Sequence, residues 1–167
     1  MDLAGDLLDQ ARHLARKDTG KPKQASLRRA VLTAYYALFH LLIADFVHTM
    51  LPGHKKALMD RVSRVFNHAD MLKSCRQWSQ TAPPLIIYEL TGGPIRARLN
   101  SVAKTFIEMQ EARHEANYDV SARLSRSTVL QRIEATELAF KDWSAMSKTD
   151  QGIAFLASLA FTTRWSR

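Results

Sequence analysis

The sequence predicts an all-α fold: a single helical bundle spanning residues 1–167, built around one nearly all-apolar helix from about Gln24 to Met50. Three observations carry the prediction. Apolar residues recur at three- and four-residue intervals along most of the chain, the spacing that gives a helix one buried face. The 11 glycines and prolines (6 + 5) fall between these periodic segments. A chain of 167 residues with 46% hydrophobic and 24% charged residues has the composition of a globular protein, and at this length one core buries roughly two thirds of the unfolded surface.

Each element follows from its own residues. Leu3, Leu7, Leu8, Ala11, Leu14 and Ala15 make Asp2 to Lys17 an amphipathic first helix, with Asp9, Arg12, Arg16 and Lys17 on the other face. Gly20 and Pro22 place a connection at Asp18–Pro22. The second helix starts near Gln24, and from Ala30 to Val47 apolar residues occupy almost every side, so other elements, a second subunit among them, must surround it. A membrane span is the competing reading. Against it, the uninterrupted apolar stretch falls short of the ~20 residues needed and holds His40 and Asp45, which are costly in hydrocarbon.

Pro52 and Gly53 end that helix, and Lys55 to Ser79 reads as one or two helices with the break near Asn67-His68. Pro83, Pro84, Gly92, Gly93 and Pro94 bracket Leu85–Tyr88, which predicts a loop with room for a single helical turn. A long helix from Ile95 to about Tyr118 follows. Then come a polar joint at Ser121–Ser125 and a helix from Thr128 to about Met146, capped by Ser125 or Ser127. Thr149-Asp150 can cap a terminal helix carrying Ile153, Phe155, Leu156, Leu159 and Phe161, an exposed element unless it docks on the bundle or a partner.

The net charge of +8 and pI near 9.9 give a surface field that favours polyanions, nucleic acid or an anionic membrane surface; the alternative is a merely basic soluble protein. The lone Cys75 excludes an intramolecular disulfide and any multi-cysteine zinc site, which fits a reducing compartment. Met1 is followed by Asp2 and Asp6 rather than by a basic stretch and an apolar run, so no secretory signal is expected and the predicted location is the cytoplasm. No glycine-rich phosphate loop, Gly-x-Ser-x-Gly elbow, His-Glu-x-x-His or metal-spaced His/Cys cluster occurs, and the six histidines are scattered singly, so neither metal nor cofactor is expected. Cys75 lies near Lys73 and Arg76, which favour a thiolate, although a lone helical cysteine is usually a small packing residue.

Polar residues interrupt two apolar faces. At 100° per residue, Arg29, Thr33, Tyr36 and His40 fall within about 60° of one another on the central helix. They form either a polar stripe at a cleft or buried side chains satisfied by hydrogen bonds. On the long later helix, Gln110, Arg113 and Asn117 continue the face set by Leu99, Val102, Ala103 and Phe106. A buried guanidinium without a partner costs several kcal/mol. Arg113 must therefore pair with a carboxylate, Asp45 or Asp119 being candidates, or face a cleft that holds an anion.

The run Leu27-Arg28-Arg29-Ala30-Val31-Leu32-Thr33-Ala34-Tyr35-Tyr36-Ala37-Leu38-Phe39-His40 resembles the signature helix of HEPN (higher eukaryotes and prokaryotes nucleotide-binding) domains. Ala112-Arg113-His114-Glu115-Ala116-Asn117-Tyr118-Asp119 resembles the Arg-x-x-Ala-Asp-Tyr segment of one HEPN branch, and Ser127 to Trp143 resembles that branch's final helix. The similarity covers about 24–146 and leaves 147–167 as a C-terminal helical extension.

The resemblance implies a HEPN-like up-and-down bundle with additional N- and C-terminal helices, a homodimer with its functional cleft near the dimer interface, and RNA or a nucleotide phosphate as ligand. Many members are metal-independent endoribonucleases, toxins or defence effectors, which brings in an antitoxin-type protein partner. Their motif is an arginine, four to six residues, then a histidine. Here Arg113 fits the arginine, but Tyr118 follows the four intervening residues, and no histidine occurs after His114. Cleavage through the RNA's own 2′-hydroxyl needs a base and a cation for the phosphorane-like transition state. Arg113 suits the cation. A tyrosine, with a reference pKa of about 10, is a poor base at neutral pH, which leaves His40 as the base if its helix faces the same cleft. The implied catalytic set is Arg113, Tyr118 and His40, with Arg29, Tyr36, His114 and Asn117 binding substrate. A non-catalytic binding or regulatory module, and a structural interaction domain with Arg113 neutralised internally, are the alternatives.

Overall fold

A computed structural model of the chain describes residues 3–165, and all regular elements among them are α-helices. In chain order they are α1 (Leu3–Arg16), α2 (Gln24–Met50), α3 (Lys56–Ser63), α4 (His68–Trp78), α5 (Leu85–Thr91), α6 (Ala97–Tyr118), α7 (Arg126–Met146) and α8 (Asp150–Trp165). Asp2, predicted to begin the first helix, and Ser166 and Arg167 of the predicted extension lie outside the described residues.

The all-round apolar character of α2 sets the architecture. Helix α2 has no face to give to water along its middle, and α1, α6, α7 and α8 cover it. By length and composition it is long enough to cross a bilayer, with a mean hydropathy of 1.7 over its most apolar window. Since 67% of that window is buried under the other helices, it is this cover, rather than the shortness of its apolar run, that marks α2 as a core helix.

Helices α1, α2, α6 and α7 close a ring in which α1 and α6 each pack on both α2 and α7. The small residues Ala4, Ala11 and Ala15 on the buried side of α1 allow close approach. Across the ring, Arg12 donates to Glu137 at 2.5 Å and the Trp143 indole N–H donates to Asp45 at 2.6 Å. On the far side α4 covers α6, and α8 lies on α4 and α2. The buried hydroxyls of Ser74 and Ser158 meet at 2.6 Å, and Phe155 packs between Trp78 and Trp143, with ring centroids 5.4 and 5.8 Å away. The predicted terminal helix is therefore docked on the bundle.

Most boundaries lie where local chemistry puts them. Asn67 accepts the Asp70 N–H and starts α4, so Lys55–Ser79 holds two helices. Ser125 rather than Ser127 caps α7 by accepting the Thr128 N–H, which starts that helix at Arg126, before the predicted Thr128. Residues 85–91 form a seven-residue helix instead of a single turn; Ile87 is buried, and Gly92 ends the helix at φ 63°. Gly5 and Gly152 depart from the expected pattern, since both lie inside helices. A Cβ on Gly152 would sit 2.1 Å from the Met146 carbonyl oxygen, so α8 can leave α7 this tightly only with glycine there.

Side chains of α2 also pin distant loops. Gln24 exchanges two hydrogen bonds with the Leu124 main chain, at 2.8 and 2.9 Å. Arg28 donates to the carbonyls of Ala116, Asp119 and Ala122 at 2.9, 2.8 and 2.7 Å, capping the end of α6. These bonds bring the start of α2 and the end of α6 into one block.

Candidate functional site

The polar stripe of α2 borders α1. Arg29, Thr33, Tyr36 and His40 line a groove of about 480 Å3 between the two helices, facing Leu3, Leu7 and Leu14. Thr33 is satisfied within its own helix, donating to the Arg29 carbonyl at 2.8 Å. Arg29 is exposed, whereas Tyr36 and His40 are half-buried. Burial pulls the His40 pKa below its ordinary value of about 6.5, so its imidazole is neutral at neutral pH and able to accept a proton.

Tyr36 is shared between this groove and a second set of residues. The Arg113 guanidinium carbon lies 5.4 Å from the Tyr35 ring centroid and 5.8 Å from that of Tyr36, both within cation–π range. His68, the first residue of α4, has ring centroids 5.5 Å from Tyr35, 5.9 Å from Tyr36 and 4.5 Å from Phe39. His40 stacks on Tyr36 at 6.2 Å. Three helices thus bring Tyr35, Tyr36, His40, His68 and Arg113 together around two tyrosine rings.

The charge of this cluster is not balanced from within. Among the described residues no carboxylate lies within 4.0 Å of Arg113. Both predicted partners are engaged elsewhere. Asp45 accepts from Trp143. Asp119 accepts from the Ser121 N–H, the Ser121 hydroxyl and the Ala122 N–H, bonds that hold its carboxyl below the usual range. Arg113 Nε and Gln110 Oε1, one turn apart, are buried without a hydrogen-bond partner. The His68 pKa is lowered first by burial, then by the positive charge of Arg113 and by His40. A positive field answered only by π faces favours an incoming oxyanion.

The other predicted residues lie apart. Tyr118 follows Arg113 by five residues, which on a helix is about 140° round the axis; it is 66% exposed and pairs with His114 at 4.8 Å. His114 lines a groove along α4 and α6 that also holds Glu111, Glu115 and Asp119, an acidic setting that repels phosphate. Asn117 is exposed near the end of α6. Cys75 is fully buried, and burial pushes its thiol up, so the neighbouring Lys73 and Arg76 yield no thiolate. The largest groove, about 640 Å3 between α6 and α7, is lined by Glu108, Glu111 and Glu115 opposite Arg132.

Sequence reading missed His68, and it counted Tyr35 only as part of the apolar helix. Nothing adjacent in the chain marks His68. Its importance comes from α4 packing across α6, which sets it against Tyr35 and Phe39. Comparisons with family models, characterised proteins and solved structures give no match for this chain.

Proposed function

We propose that the chain is a HEPN-like protein that binds RNA at the cluster of Arg113, Tyr36 and His40 and cleaves it without a metal ion. Arg113 carries the reading. It is a guanidinium with no carboxylate partner among the described residues, laid over two tyrosines beside a neutral histidine. The packing of the two family-like segments adds support: Arg28 binds the carbonyls of Ala116 and Asp119 while Tyr35 and Tyr36 meet Arg113.

In this mechanism His40 takes the proton of the 2′-hydroxyl, whose oxygen attacks the adjacent phosphorus. Arg113 stabilises the charge that grows on the non-bridging oxygens. The 5′-oxygen leaves with a proton from water, giving a 2′,3′-cyclic phosphate and a 5′-hydroxyl end. Tyr36 and Arg29 offer a stacking surface and a second phosphate contact along the groove.

The test is an RNA binding and cleavage assay on wild type, Arg113→Ala and His40→Ala. Metal-independent cleavage by wild type, lost in both variants, supports the proposal; cleavage or binding indifferent to Arg113→Ala refutes it. The position of Tyr118 favours a second reading, a binding module without turnover, because the residue standing at the family's histidine position is exposed and turned from Arg113. That reading predicts salt-sensitive binding with no product, and loss of binding in Arg113→Ala alone.

A further inference from the structure

We infer that Tyr35 locks His68 in its Nε2–H tautomer, and that this N–H and the Arg113 guanidinium together hold one phosphate oxyanion. The argument begins with a buried hydroxyl. Tyr35 is fully buried, and its oxygen lies 2.6 Å from His68 Nδ1, the one hydrogen bond recorded for that hydroxyl. Burial raises the Tyr35 pKa, so the phenol keeps its proton. A buried O–H left without an acceptor is costly, whereas an oxygen that only donates loses little. Tyr35 therefore donates, His68 Nδ1 accepts, and the single ring proton resides on Nε2, on the side of the ring away from Tyr35.

A histidine held this way is a hydrogen-bond donor and cannot serve as the base. Its companion donor is Arg113, which shares both tyrosine faces with it and has a buried Nε without a partner. Two N–H donors beside the same ring pair, with no carboxylate bound to Arg113 among the described residues, suit a phosphate monoester or diester oxygen. The division of labour that results gives the phosphate to His68 and Arg113, and the proton to His40. The assignment of phosphate to RNA rests on the function proposed above; the tautomer does not.

The experiment is nitrogen-15 NMR of the histidine rings in the full chain, with and without added inorganic phosphate, and in parallel with a 2′-deoxy dinucleoside monophosphate that cannot be cleaved. Expected are an Nε2–H tautomer for His68, a mixture of tautomers in Tyr35→Phe, and a shift of the His68 Nε2 signal on phosphate addition. Phosphate binding should weaken about tenfold in His68→Ala, the loss of one charge-assisted bond, and recover in part in His68→Gln, which restores an N–H. Tighter binding of the diester than of inorganic phosphate marks a nucleic-acid backbone as the source; the reverse marks a free phosphate.

An Nδ1–H tautomer in wild type overturns the inference, as does phosphate binding equal in wild type and His68→Ala. If His68→Ala fails to fold, the wild-type tautomer and the phosphate-induced shift still decide. Phosphate held without any RNA binding refutes the RNA reading and leaves this inference standing. RNA cleavage indifferent to His68 does the opposite.

Discussion

Replacing Arg113 with methionine separates a structural arginine from a functional one. Two contributions compete in the wild type. The guanidinium lies over two tyrosine rings at 5.4 and 5.8 Å, and at this partial burial each contact contributes about 0.5–1 kcal/mol. Against them, its Nε is buried without a hydrogen-bond partner, a desolvation cost of about 1–3 kcal/mol. Methionine keeps most of the side-chain volume and removes both. The expected change in unfolding free energy is therefore within about 1 kcal/mol of zero, with either sign, while phosphate and RNA binding are lost. Urea unfolding at 25 °C, compared at equal slope, measures the first quantity, and an RNA titration measures the second. A loss above about 2 kcal/mol would mean that Arg113 has structural partners and that the cluster is a packing device. Retained binding would refute the site outright.

Three further outcomes follow from the same coordinates. His40 and His68 both have folded pKa values below the unfolded value of about 6.5. Below that pH the unfolded chain takes up protons that the folded chain refuses, so stability present above pH ~6.5 is lost as pH falls through the folded values. The decline should be shallower in His68→Gln, as read by urea unfolding between pH 7 and 5, and an unchanged slope would contradict the assigned burial. Gly152→Ala drives a Cβ against a main-chain carbonyl at 2.1 Å, which no rotamer relieves, and should cost at least about 2 kcal/mol; a thermal midpoint equal to wild type would sink this. Arg28→Lys keeps the charge but cannot reach three carbonyls at once. It should speed amide exchange at 119–124 and weaken phosphate binding by a few-fold through Arg113.

The helices were legible because their signals are local. An apolar residue on every side of 30–47 specifies a surrounded rod, and Asn67, Ser125 and Thr149 each cap a helix with their own side chain. Seven residues after Pro84 were harder to read, since α5 buries little beyond Ile87. At the site, the stripe of Arg29, Thr33, Tyr36 and His40 was legible from helical geometry, and so was the oddity of Arg113. The same geometry also separates Tyr118 from Arg113 by about 140°, which a reading guided by motif spacing overlooked. The choice between Asp45 and Asp119 as partners could not be read, because each is claimed by a tertiary or turn contact that sequence does not display. His68 was invisible for the same reason. Its role is conferred by a hydroxyl 33 residues away.

The bonds from Arg28 to the end of α6 span 88, 91 and 94 residues of chain, and Tyr35 and Arg113 are drawn from the same two helices. Closing loops of that length costs entropy that only the assembled core repays. A chain emerging from the ribosome therefore has no cluster until α6 has been made and docked, however early α2 collapses. For a protein whose proposed chemistry attacks RNA, that order of events keeps the nascent chain inert beside the message that encodes it. Competence arrives in a single step, with the fold itself.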